Sequence, residues 1–154
     1  MGVFLLVPLA CLGFQTTLGF YLGYWQNIEM IKSFPPDAKT YYEVANWLFG
    51  VTGSEHIMWS IATRPIGYPL ILGLCERIAP PAIIVIQLIF WWLAQLSIFK
   101  ILRDRIGSLQ LSLFITAASV TCLTFAVLPF VPLSETLAIS FLMFSLYFAH
   151  RYDF

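Results

Sequence analysis

A chain of 154 residues that is 60% hydrophobic and only 10% charged, with a mean hydropathy of +0.84, lies far from soluble domains, in which about 25% of residues are charged. Eight basic and eight acidic residues cancel to a formal net charge of zero, so no polybasic tract offers itself to nucleic acid or to a membrane surface. Cys11, Cys75 and Cys122 are odd in number and widely spaced, which leaves neither a CxxC metal site nor a disulfide framework and makes them small packing residues.

Asp, Glu, Lys and Arg are missing from residues 2–25, 78–99, 106–134 and 136–149. A helix rising 1.5 Å per residue needs roughly 20 uncharged residues to cross about 30 Å of hydrocarbon. These runs predict an all-α integral membrane protein with about four transmembrane helices, in a single membrane domain over 1–154. Residues 26–81 form a long external loop carrying amphipathic interfacial helices.

The first crossing is expected over Gly2 to Trp25, closing on Tyr21, Tyr24 and Trp25 as an interfacial aromatic belt. It has no basic n-region and no clean cleavage pattern, so it reads as a membrane helix rather than a signal peptide. The chain then turns polar, with Glu29, Lys32, Asp37, Lys39, Glu43, Glu55 and Arg64 between Gln26 and Arg64. Pro35 and Pro36 break any helix, and Asp37 stands where an N-cap would be, ahead of a helical run from Lys39 to Phe49. In that run Tyr41, Val44, Ala45 and Leu48 form one stripe, opposite Lys39, Glu43, Asn46 and Gly50, a pattern suited to a helix lying on the membrane surface. Stepping back by 100° per residue puts Asp37 near the apolar stripe, an unusual place for a carboxylate.

A second short apolar segment begins at Arg64-Pro65-Ile66-Gly67-Tyr68-Pro69 and ends at Glu76, Arg77 and Pro80-Pro81; it is too short to span and is expected to be half-buried or re-entrant. The second crossing is expected over Ala82 to Leu102, followed by a tight, mostly basic turn of Lys100, Arg103, Asp104, Arg105 and Gly107. The third runs from Ser108 to Phe130, Pro129 to Pro132 forms a turn, and the fourth runs from Leu133 to His150. Lys100, Arg103, Arg105 and Arg151 mark their side as cytoplasmic, which faces the long loop to the periplasm or exterior of an inner (plasma) membrane.

In order and spacing, several of these residues resemble the polytopic glycosyltransferases of the C-type fold (GT-C), particularly bacterial members similar to protein mannosyltransferases and lipid A aminoarabinose transferases. Asp37, Tyr41 and Ala45 look like the family's D-x(3)-Y-x(3)-A pattern in the first external loop. Arg64 to Leu70 looks like its R-P-x-G-Y-P-L segment, Gln87 sits early in the next helix, and Leu133-Ser134-Glu135-Thr136 opens a later one as the family's S-E-T segment does. The resemblance covers nearly the whole chain but only the N-terminal part of the family's architecture, so the chain is expected to be an N-terminal portion or one piece of a split protein.

The resemblance implies transfer of a sugar from a polyprenyl-phosphate donor to an acceptor lipid, glycan or protein on the outer face, without a cofactor and with no metal indicated. It assigns Asp37 as the base that takes the acceptor's proton; the alternative is that Asp37 caps the surface helix. Arg64 is the candidate clamp on the leaving phosphate, or else an interfacial arginine whose head group reaches for water. Tyr68 can donate to the same phosphate or belong to the aromatic belt. Tyr41 belongs to the same motif as a substrate-binding residue. Glu135, the lone acidic residue of its stretch, can contact the substrate or, with Ser134, cap the last helix. Glu55 and His56 are too few for a metal site, and Gln15, Gln87 and Gln95 suit hydrogen bonds between helices. Two rivals stand beside this reading, a small helical membrane scaffold or subunit and a fragment of a transporter; the charges gathered in one loop and at helix ends speak against the second.

Overall fold

The computed structural model describes residues 2–25, 36–51, 60, 63–79, 81–122, 128–131 and 134–152. The described residues are helical, with no strand among them. In chain order they form α1 (Gly2–Tyr21), α2 (Pro36–Leu48), α3 (Gly67–Ile78), α4 (Ala82–Ile106), α5 (Leu109–Thr121), a single 3₁₀ turn (Leu128–Phe130) and α6 (Ser134–Tyr152).

Among the described residues one helix, α4, is long and apolar enough to cross a membrane by length and composition. Its 25 residues span about 37 Å at 1.5 Å each. The helix does not stop at Leu102 but carries Arg103, Asp104 and Arg105 in its own last turns. Cations at a helix C-terminus offset the negative end of the macrodipole, and Gly107, at φ 72°, supplies the left-handed residue that ends it. The expected basic turn is therefore the end of a helix, and the chain reverses at Gly107 and Ser108. The Ser108 hydroxyl then accepts from the Leu111 amide at 3.4 Å as the N-cap of α5.

α5 has 13 residues and ends at Thr121, short of the expected Phe130. Residues 123–127 lie outside the described part, and the chain next appears in the 3₁₀ turn, whose Pro129 and Phe130 are buried. α1 likewise ends at Tyr21 rather than Trp25; residues 22–25 turn with Gly23 at φ 76°. That turn brings Tyr24 and Trp25 back onto Phe130, stacked at 5.5 Å and edge-on at 6.2 Å. Of the expected belt, only Tyr21 points outward.

α4 is the spine. It packs on α6, α5, α3, the 3₁₀ turn and α1. Gln87 of α4 lies near Val131, Phe90 near Phe141 and Phe144, and Lys100 near Tyr147, so α4 and α6 run parallel. The core joins Tyr41, Tyr42 and Ala45 of α2, Tyr68 and Leu72 of α3, Ile83, Ile84 and Leu88 of α4, Phe130 and Leu137. Cys75 packs there as expected, but Cys122 is exposed, and the side chain of Cys11 lies outside the described part. Two of the glutamines bridge segments: Gln87 Nε2 donates to the Val131 carbonyl, and Gln95 Oε1 accepts from Ser119 of α5, both at 3.0 Å. Gln15 is buried, its Nε2 without a partner among the described residues.

Hydroxyls inside the helices turn back on their own backbone. Thr16, Ser97, Ser112, Thr116, Ser140 and Ser145 each donate to the carbonyl four residues earlier at 2.7–3.0 Å. In apolar surroundings this is the nearest acceptor available to them. Phe130, fully buried at the junction of α1, α4 and the 3₁₀ turn, is the strongest single packing site there. Phe130→Ala should cost about 3–5 kcal/mol and appear as a marked fall in the thermal midpoint of the purified protein. A shift of only a degree or two would show that Tyr24 and Trp25 do not depend on it.

Candidate functional site

The site lies at the end of the α4–α6 pair where α6 begins, against the side-by-side helices α2 and α3. α2 starts at Pro36, one of the residues expected to break it, because a proline at the first helical position gives up only an amide that has no helical partner. Asp37 therefore sits inside the first turn rather than ahead of it. Of the predicted stripe Tyr41, Val44 and Ala45 are buried and Leu48 is half-buried, Ala38 joins them, and Lys39 is exposed. α3 follows in the same direction, with Tyr41 meeting Tyr68 and Gly73 seated under Phe49, where a side chain would collide with the ring. Arg77 closes the far end, stacked on Phe49 at 4.2 Å and donating to its carbonyl at 3.1 Å.

Asp37 and Arg64, 27 residues apart, form an ion pair, with Nη2 of Arg64 donating to Asp37 Oδ1. Arg64 Nε donates to Thr40 Oγ1 at 3.1 Å, and that hydroxyl donates to the Asp37 carbonyl at 2.8 Å. The guanidinium also lies 5.0 Å from the centroid of the Tyr41 ring, within cation–π reach. Arg64 thus folds onto α2 instead of extending along an apolar surface, and its side chain is 22% exposed against 51% for Asp37.

From Tyr41 the contacts continue to α6. Its hydroxyl lies 2.7 Å from Ser134 Oγ, and Ser134 Oγ donates to Glu135 Oε2 at 3.3 Å. Since the serine proton is spent on the carboxylate, the tyrosine hydroxyl is the donor in the first of these bonds. Glu135 is exposed in the first turn of α6, where the helix dipole favours an anion. Tyr68 packs edge-on against Tyr41 at 4.9 Å between ring centres. It is buried rather than part of an outward belt, and its hydroxyl has no hydrogen-bond partner among the described residues. Burial, then the neighbouring Tyr42, Tyr41 and Glu135, push this phenol far above the ordinary tyrosine range, so it stays a neutral donor.

All five residues singled out from the sequence, Asp37, Tyr41, Arg64, Tyr68 and Glu135, therefore meet in one contact chain. Sequence reasoning missed Thr40, which fixes the guanidinium, and the linking role of Ser134. Thr40 had a signal in its position three residues after Asp37 on the same helix side; the link from Ser134 to Tyr41 had none. Glu55 and His56 lie outside the described part. Among the described residues no three His, Cys, Asp or Glu side chains gather into a metal-binding group. No family model matches the chain, and no curated protein or solved structure is significantly similar to it.

Proposed function

We propose that the chain is a membrane glycosyltransferase of the GT-C type, or the N-terminal portion of one. It moves a sugar from a polyprenyl-phosphate donor to an acceptor lipid, glycan or protein on the outer face of an inner (plasma) membrane. The observation that carries this reading is the contact chain that joins the Asp37 carboxylate, Arg64 and the buried neutral Tyr68 phenol through the Tyr41 ring. A multi-pass bilayer setting is supported by α4, by the back-bonded hydroxyls and by the outward apolar side chains of α1, α4, α5 and α6, among them Phe14, Ile89, Phe114, Phe141 and Leu146. In that setting α1, α4, α5 and α6 belong to the four crossings. α3, with Leu70, Leu74 and Ile78 outward, lies half-buried at the interface.

The chemistry follows from the residue types. Transfer forms a bond from the acceptor oxygen to the anomeric carbon, breaks the bond from that carbon to the carrier phosphate, and moves the acceptor proton to Asp37. The departing polyprenyl phosphate gains negative charge, which Arg64 stabilises through its fork of N–H donors, with the Tyr68 hydroxyl as a further donor. In an inverting displacement, base and leaving group stand on opposite sides of the anomeric carbon, so the Asp37–Arg64 pair has to open. An arriving phosphate competes for the arginine and thereby frees the carboxylate: donor binding uncovers the base.

The closed pair also favours a second reading, a non-enzymatic helical scaffold in which Asp37 and Arg64 only staple α2 to the segment before α3. The two are separated by reconstituting the chain in lipid nanodiscs with polyprenyl-phosphate mannose or polyprenyl-phosphate aminoarabinose and a membrane extract as acceptor source. Free polyprenyl phosphate should be released above the protein-free control. No release with either donor leaves the scaffold.

A further inference from the structure

At the end of the α4–α6 pair remote from Asp37, Lys100, Arg103 and Asp104 of α4 and Tyr147, His150 and Arg151 of α6 line a cavity of about 450 Å³. Among the described lining residues three fixed cations face one carboxylate, and that carboxylate is engaged, with Asp104 Oδ2 3.3 Å from His150 Nε2. Lys100 bends over the Tyr147 ring at 5.3 Å, its Nζ 3.5 Å from the hydroxyl. A second cavity, of about 340 Å³, is lined by Leu93, Leu96, Ser97, Phe144 and Phe148 and shares Lys100 and Tyr147 with the first. Of its two hydroxyls, that of Ser97 is spent on the Leu93 carbonyl at 3.0 Å and that of Tyr147 lies toward Lys100 at the shared end, so the stretch along Leu93, Leu96, Phe144 and Phe148 is apolar. From Lys100 back to Leu93 it extends about 10 Å along α4.

Cations at the ends of α4 and α6 suit the helix dipoles and a cytoplasmic orientation, and those two reasons would suffice for charge alone. They do not account for a basic chamber that shares two wall residues, Lys100 and Tyr147, with an apolar groove of the same two helices. We infer that the two cavities together form a binding site for one anionic phospholipid. Its phosphodiester is held by Lys100, Arg103 and Arg151, and the upper part of an acyl chain lies along Leu93, Leu96, Phe144 and Phe148. The occupant is a lipid rather than free phosphate because the apolar chamber recognises nothing in inorganic phosphate, and it is anionic because the polar chamber carries excess positive charge. The site needs only that the chain resides in a membrane and does not depend on the transferase reading.

The test uses the whole chain, purified in dodecyl maltoside, titrated with phosphatidylglycerol, phosphatidylcholine or inorganic phosphate and read by native mass spectrometry. One phosphatidylglycerol should bind per chain, well ahead of phosphatidylcholine, with millimolar phosphate failing to displace it. Lys100→Ala combined with Arg151→Ala should weaken binding by on the order of tenfold or more, from the loss of two cations near an anionic head group. Arg105→Ala, at the same end but outside the cavity, should leave it unchanged. Leu96→Trp, which fills the groove and keeps every charge, should weaken phosphatidylglycerol as well. Equal loss in Arg105→Ala, equal affinity for phosphatidylcholine, displacement by phosphate, or full binding by Leu96→Trp would each overturn the site.

Discussion

Asp37→Asn is expected to lower sugar transfer by roughly 10²–10⁴-fold, the contribution of a positioned general base, while donor affinity stays the same or rises. The two effects part because Asp37 plays opposite roles in the two steps. In the resting pair it occupies Arg64, the group that would otherwise meet the donor phosphate. In the proposed reaction it takes the acceptor proton. An amide cannot take that proton and holds the guanidinium less strongly, so the variant binds and stalls. Folding should hardly change, because a partly exposed ion pair contributes about 0–1 kcal/mol. Turnover and donor binding measured on one preparation decide the matter: transfer near the wild-type rate would remove Asp37 as the base and reduce the pair to a staple.

Arg64→Ala should weaken donor binding by roughly 10–100-fold, since hydrogen bonds to charged groups contribute about 1.5–3 kcal/mol and each 1.4 kcal/mol is tenfold. Arg64→Lys keeps the charge but loses the planar fork that reaches Asp37 and Thr40 together, so it should recover only part of the loss. Binding of a polyprenyl-phosphate sugar to the three proteins in nanodiscs gives the comparison. If alanine binds the donor as well as arginine does, the guanidinium serves α2 and Tyr41 alone. In Asp37→Asn chemistry fails while binding survives; in Arg64→Ala binding fails first. A scaffold would show neither pattern.

Much of this was legible in the chain because it rests on local periodicity. The stripe of Tyr41, Val44 and Ala45 on α2 needs only the 3.6-residue repeat, and the apolar run of α4 needs only a count of uncharged residues. Helix ends were less legible. The charges at 103–105 suggest a turn by composition, but at a C-terminus cations favour continuing the helix, and Gly107 marks the stop. Pro36 suggests a helix breaker by type, but at the first helical position proline is a start.

The sequence alone determined a strongly apolar helical chain and the residue types worth watching, since charge spacing and apolar periodicity act over a few neighbouring residues. Tertiary structure decided that Arg64 reaches Asp37 across 27 residues, that Tyr41 meets Ser134 across 93, and that the ends of α4 and α6 line a basic chamber beside an apolar one with Lys100 and Tyr147 in both walls. Those contacts depend on the parallel packing of α4 with α6 and of α2 with α3. Packing directions of this kind are set by the summed fit of many side chains over whole helices, and no local pattern encodes them.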